Sequence, residues 1–351
     1  DFLALCTSNL PDPAVIPSEH FNTVTWTGNG GTMNVTGVGF QPDLVWNKTR
    51  SYARHHWWWD SIRGVSRWLQ SSNQDGDGYL SGKGVTSFDS DGATWVYDSS
   101  NGFNTSGQTQ VSWNWKAGGT GVSNTNGSIT STVSANVDAG FSIVSYTGNQ
   151  TAGDTVGHGL SSVPELMIVK NRTDAGTSWI TYSEDVGNTK YLKLNGFAAA
   201  ITTIKPWNNT TPTNSVFTLG TSGDINGTSD SIIAYCFHSV DGYSKVGSYE
   251  GNSSDDGTFV YCGFRPKFIL MKNVDGATQD WYIFDTERET YNIVDDYLRP
   301  NLSNAETNYS AGALDIVSNG FKLRKNNAEW NTATHIFYAI AESPFKHTNA
   351  R

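Results

Sequence analysis

The stretch His55-His56-Trp57-Trp58-Trp59-Asp60 is where side-chain type and spacing point most directly to chemistry. Three consecutive tryptophans on a strand alternate between faces, so they cannot all enter one core. Trp58 or Trp59 is therefore expected at the surface, where an indole offers a stacking platform for the C–H face of a sugar ring. The competing expectation is that Trp57 is core while Trp58 or Trp59 covers a neighbouring unit or subunit. His55 and His56 diverge on a strand, and a metal site needs three or four convergent ligands, so the pair predicts no metal.

A second candidate is Asn73-Gln74-Asp75-Gly76-Asp77-Gly78-Tyr79. Asn73, Asp75 and Asp77 place oxygen ligands at alternating positions with Gly at the sixth, as in a calcium loop. The twelfth position is Gly84, where such loops carry a bidentate Glu, so a polar turn competes with the calcium reading. Asp285, Glu287, Glu289, Asp295 and Asp296 form the densest acidic cluster and read as a solvated rim. Carboxylate pairs alone do not make a glycosidase. The chain has no Gly-x-Ser-x-Gly elbow, phosphate-binding Gly loop or zinc spacing. No catalytic residue and no cofactor is predicted.

The elements that must position these residues come from an internal repeat. Pro42-Asp43-Leu44-Val45-Trp46-Asn47-Lys48, Pro164-Glu165-Leu166-Met167-Ile168-Val169-Lys170 and Pro266-Lys267-Phe268-Ile269-Leu270-Met271-Lys272 share their spacing. Pro at the start, Lys at the end and an apolar run between predict a strand buried on both faces. A tryptophan follows each lysine at the same distance: Trp57, Trp179 and Trp281. Each copy opens on an aromatic strand with a Gly-Asn turn, ending at Asn29, Asn149 and Asn252, and closes on another around Trp113, Tyr235 and Tyr338.

The expected fold is all-β: three tandem β-sandwich or jelly-roll-like repeats of about 100 residues each. The boundaries are an N-terminal junction at 1–20, repeats at 21–117, 141–238 and 243–342, and a tail at 343–351. The Gly/Ser/Thr/Asn-rich segment 118–140 reads as a flexible linker, which would leave the first repeat freer than the other two. Short helical turns are conceivable at 58–69 and 286–298.

Composition agrees with many short strands and turns: 36 Gly, 13% aromatic and only 16% charged residues among 351. The net charge of −10 argues against nucleic-acid binding, which needs a concentrated basic patch that the sequence does not show. No apolar run reaches the roughly 20 residues of a membrane helix. Cys6, Cys236 and Cys262 are too few for a disulfide framework and read as small buried hydrophobes. The chain opens at Asp1 without Met, as a fragment or processed product would.

The blocks resemble a repeated domain of structural proteins in tailed bacteriophages, particularly marine ones. The resemblance is carried by Gly39-Phe40-Gln41-Pro42-Asp43-Leu44-Val45-Trp46 with Lys48, Ser87-Phe88-Asp89-Ser90-Asp91-Gly92, Trp113-Asn114-Trp115-Lys116-Ala117-Gly118-Gly119 and Ala341-Glu342-Ser343-Pro344-Phe345-Lys346. The opening Phe2-Leu3-Ala4-Leu5-Cys6-Thr7 is similar to the junction after an upstream β-domain. The resemblance implies a virion surface protein such as a tail fibre or spike. Its partners would be other virion subunits, often as a homo-oligomeric trimer, with a host cell-surface glycan as possible target. A polysaccharide-degrading tail enzyme or a non-viral extracellular filament protein built from the same repeats are the alternatives.

Overall fold

The computed structural model describes residues 14–276 and 278–344. Cys6, most of the expected junction and the end of the expected tail lie outside the described residues. Within them the protein is almost entirely β, in antiparallel sheets. The helical turns are Pro17–Glu19 and Gly223–Asn226. The stretches 58–69 and 286–298 form strand and turn instead, because no 3.6-residue apolar period holds them. None of the described helices is long and apolar enough to cross a membrane.

Each of the three segments builds its main sheet in one order. In the first, β1 (Phe21–Thr27), β2 (Leu44–Thr49), β3 (His56–Asp60) and β4 (Thr109–Trp115) lie as β1-β4-β2-β3. In the second, β5 (Phe141–Thr147), β6 (Leu166–Asn171), β7 (Ile180–Ser183) and β8 (Ser231–Phe237) lie as β5-β8-β6-β7. In the third, β9 (Ser244–Asn252), β10 (Phe264–Asn273), β11 (Trp281–Asp285) and β12 (Thr332–Pro344) lie as β9-β12-β10-β11. The Pro-to-Lys run is thus a central strand in each sheet, buried from Leu44, Leu166 and Phe268 to its lysine as its apolar stretch requires.

Smaller strands cover one face of each main sheet, including Thr32–Val35 with Gly92–Val96, Thr155–Gly157 with Val216–Thr218, and Phe259–Tyr261 with Gly320–Leu323. The space between encloses a private core in each unit, for example Val45, Trp59 and Trp95 in the first. Strand alternation sends the remaining side chains to the opposite face. There Trp46, Trp115, Ile168, Phe237, Phe268 and Tyr338 join one core shared by all three units. Trp115 lies 6.4 Å from Phe141 and 5.7 Å from Phe268, and Phe237 lies 4.9 Å from Tyr338, ring centre to ring centre. The three main sheets therefore wall a three-sided prism.

The segment 118–140 corrects the expectation of a flexible linker. Val122–Asn124 and Ser131–Asn136 are strands that pair in turn and add to the β5 edge, widening the second unit's sheet. Thr132 and Val133 supply β-branched residues to this ladder, which composition alone concealed. The first unit is not freer, because it packs against both others. Cys236 and Cys262 are free and buried, as small hydrophobes.

A candidate functional site at the seams between units

The seams grow from the ends of the central strands. Lys48, Lys170 and Lys272 stand opposite Val111, Ile233 and Ile336, which occupy the same place in each closing strand. All three are fully buried. Each ammonium donates to a carbonyl in its own following loop: Arg54 at 2.6 Å, Thr177 at 2.8 Å, and Gln279. Each also donates to a carbonyl of another unit, at Ser303, Gln74 and Phe197, all at 3.2 Å. The first unit leans on the third, the second on the first and the third on the second, which closes a ring.

Two residues past each lysine, the carbonyls of Arg50, Arg172 and Val274 accept backbone N–H groups from the adjacent unit. The donors are Glu306 at 2.8 Å, Asp77 at 2.8 Å and Ala200 at 2.9 Å. Side chains repeat in two of these seams. Arg172 pairs with Asp77 at 2.7 Å, Asp77 with Arg63 at 3.2 Å, and Arg63 with Asp60 at 2.6 Å. Arg50 pairs with Glu306 at 2.7 Å, Glu306 with Arg288 at 2.7 Å, and Arg288 with Asp285 at 2.5 Å. Burial works against the Glu306 carboxylate, yet Arg288 and Arg50 hold it below the usual range. The third seam carries Ser183, Val186, Ala200 and Val274 at the matching places, so small and apolar side chains stand where the other two seams hold an ion network.

The tryptophan run falls on this framework one residue out of its expected register. Lys48 pairs with His56, whereas Lys272 pairs with Trp281, and Val169 pairs with Ile180, which puts Trp179 beside Lys170. His56, not Trp57, is thus the counterpart of Trp179 and Trp281, because the first unit's hairpin loop is one residue shorter. A one-residue slip reverses every face. Trp57 and Trp59 turn into the first unit's private core and Trp58 into the shared one, 5.2 Å from Trp179. All three are buried, Trp58 at 1% and Trp59 at 0% exposure, which corrects the expectation of an exposed stacking platform. Trp58 does cover a neighbouring unit, as the competing expectation had it. His56 accepts the Trp46 indole N–H on Nδ1 at 3.0 Å and is also buried, so it binds nothing from outside.

The calcium reading fails on the same geometry. Asp77 holds Arg63 and Arg172 with its carboxylate, and Asn73 donates through Nδ2 to Asp75 at 2.7 Å rather than offering a ligand oxygen beside it. Of the acidic cluster, Asp285 is buried against Arg288, which corrects its place on a solvated rim. Glu289, Asp295 and Asp296 do gather within 4.8 Å, but Glu289 accepts the backbone N–H groups of Asp295 at 2.7 Å and Asp296 at 2.9 Å. Burial pushes the Glu289 carboxyl up.

What the structure does bring together is a polar cleft. One hollow of about 330 Å³ lies among Arg54, His55, Trp57, Gln70, Asp75 and Asn101, with Ser303 of the third unit on its rim. A second, of about 430 Å³, shares Gln70, Asp75 and Asn101 and continues past Trp68 to Arg172 of the second unit. The cleft therefore opens where the first unit meets both neighbours. His55 and Asp75 were legible as polar candidates; Arg54, Gln70 and Asn101 carry no motif and meet only through the fold. Burial lowers the His55 ring below its ordinary value, with Asp75 opposing. A separate hollow of about 360 Å³ lies beside Lys245 and Tyr261, where the lysine Nζ is taken by the Tyr261 carbonyl at 3.0 Å.

The family model described as Domain of unknown function (DUF7483) matches residues 16–344. Neither the curated proteins nor the solved structures give a match to the chain.

Proposed function

Because the chain belongs to the DUF7483 family, a domain of unknown function, we propose its role from its own residues: a structural module of a virion surface, such as a tail fibre or spike, that also attaches to the host surface. The observation that carries the proposal is the closure of three sheets into one prism within a single chain, joined by the Lys48, Lys170 and Lys272 contacts. Such a body resists deformation because its shared core cannot open at one seam without exposing aromatic surface at the others. The resemblance of the blocks around Pro42 to Lys48 and Trp113 to Gly119 to phage structural proteins supports the virion context of the reading.

Attachment is favoured over hydrolysis by the cleft's acid content. Asp75 and Asp77 are the carboxylates lining it among the described residues, and Asp77 is neutralised by Arg63 and Arg172. Glycoside hydrolysis ordinarily needs two working carboxyl groups flanking the bond. Antibodies raised against the purified chain should label the surface of the particle that carries it and block adsorption to host cells. Particles that stay unlabelled, while the antibody recognises the chain in host lysate, would overturn the proposal.

A further inference from the structure

We infer that the cleft shared by the three units binds a short oligosaccharide bearing a carboxylate or sulfate, with Arg54 receiving the anionic group; this rests on the attachment role proposed above. Each hollow falls in the range of about 300–1,000 Å³ typical of small-molecule sites. Trp57 and Trp68 contribute apolar wall, and the remaining lining is short, planar and polar.

The polar groups are tethered by one atom and leave another unengaged. His55 meets Ser72 Oγ through Nδ1 at 2.9 Å and keeps Nε2. Gln70 accepts Asn73 Nδ2 on Oε1 and keeps its amide N–H groups. Asp75 accepts Asn73 Nδ2 on Oδ2 at 2.7 Å and keeps Oδ1. Asn101 donates Nδ2 to Asp98 at 2.8 Å and keeps Oδ1. Donors and acceptors thus face one space with their orientations already fixed. A polyhydroxyl ligand, whose every OH both donates and accepts, satisfies such a mixed set, whereas an apolar ligand would leave it unpaired. Preorganisation of this kind lowers the entropic cost of binding.

The charge argument singles out Arg54. Arg172 at the far end is neutralised by Asp77, but no described carboxylate pairs with Arg54. Its Nε is buried without a hydrogen-bond partner, and its guanidinium lies against the backbone of Gly102, where an added Cβ would meet Nε at 2.4 Å. With Nε packed against Gly102, the terminal N–H groups of the guanidinium are the ones left for an anion, which they can hold through two parallel hydrogen bonds.

Titration calorimetry on the purified chain tests this with an alginate tetrasaccharide, a κ-carrageenan tetrasaccharide and neutral laminaritetraose. At least one acidic probe should bind about tenfold or more tighter than the neutral one. Arg54→Gln should weaken the acidic probe by about tenfold while leaving the melting temperature unchanged, since Arg54 meets Lys48 through its backbone carbonyl, which the substitution keeps. Asn101→Ala should weaken every probe that binds. Equal binding of neutral and acidic probes, or no effect of Arg54→Gln, overturns the anionic specificity; no binding of any probe at about 10 mM overturns the site. Binding without particle labelling would instead sink the virion reading and leave the cleft standing.

Discussion

Lys48 of the first unit donates its ammonium to the carbonyl of Ser303 in the third at 3.2 Å, and the matching donations by Lys170 and Lys272 run the same way round. A head-to-tail contact that closes after three steps is the geometry of a cyclic trimer. Here it is executed inside one polypeptide, and among the described residues no carboxylate forms a salt bridge with these lysines.

These lysines set a pH dependence. Burial pushes Lys48 down to about 7 and Lys170 and Lys272 to about 8, against an ordinary 10.5. Between the lowered and ordinary values the unfolded chain binds more protons than the folded one. Stability therefore rises with pH across that window, and the penalty of burying the charge is fully present below it. The Cys236 and Cys262 thiols, pushed up to about 12 by burial, act in the opposite sense above their ordinary 9. Thermal melts should give a higher midpoint at about pH 8.5 than at about pH 7, with at most ~1.4 kcal/mol per pH unit from each lysine. Lys48→Met should shrink the gain; a midpoint that stays level over this range would show that the carbonyls keep the lysines charged.

Trp58→Ala and Trp59→Ala should each cost about 3–5 kcal/mol in chemical denaturation, because each empties a buried indole site. Leu166→Ala or Phe268→Ala should cost about 2–5 kcal/mol for the same reason. A loss below about 1 kcal/mol at either tryptophan would contradict its place in a packed core.

The three seams invite an exchange experiment. Arg63→Val alone strands Asp60 and Asp77 without their shared partner and should cost about 3–5 kcal/mol. Converting Asp60, Arg63, Asp77 and Arg172 together to Ser, Val, Ala and Val copies the seam built from Ser183, Val186, Ala200 and Val274. The fourfold variant should be more stable than Arg63→Val by denaturant midpoint. If its losses simply accumulate, the apolar seam depends on surroundings that the first unit does not provide.

The Gly-Asn turns make a further test. Asn104, Asn226 and Asn331 each accept a turn N–H, from Asn29 at 2.9 Å, Asn149 at 2.9 Å and Asn252 at 3.2 Å. Their backbones leave no room for a side chain on the preceding glycine: a Cβ on Gly148 would sit 2.4 Å from the Gly227 oxygen, and one on Gly251 2.2 Å from Asn331 carbon. Gly148→Ala should therefore lower stability by about 1–3 kcal/mol, read from a melt. A neutral effect would mean that the turn yields.

Sedimentation should find the purified chain as a monomer, since the surfaces that a trimer of single units would pair are already joined here. A stable trimer would require a further contact face.

Much of this was legible because the Pro-to-Lys runs hold apolar stretches of strand length, and Leu166 to Val169 and Phe268 to Met271 fit a strand with a core on both faces. The tryptophans misled for a specific reason. Counting from Lys48 assumes equal hairpin loops, and one missing residue moved Trp57 off the face that Trp179 and Trp281 occupy. The strands in 118–140 were hidden because an added edge strand needs few apolar residues. The cleft was hidden because Arg54, Gln70 and Asn101 are far apart in sequence and share no spacing; only the meeting of loops around the first unit gathers them.

The seam between the first and third units differs from the others in how the chain reaches it. Lys48 and Ser303 lie 255 residues apart, and Arg50 and Glu306 lie 256 apart, so this contact closes a long loop of the chain rather than a short one. Mechanically it is an inner clasp. Farther out along the chain the turn Pro17–Glu19 already meets β12 (Thr332–Pro344), so tension drawn from the ends would load that contact and the terminal strands before it reached the Arg50–Glu306 fork and the Lys48 contact.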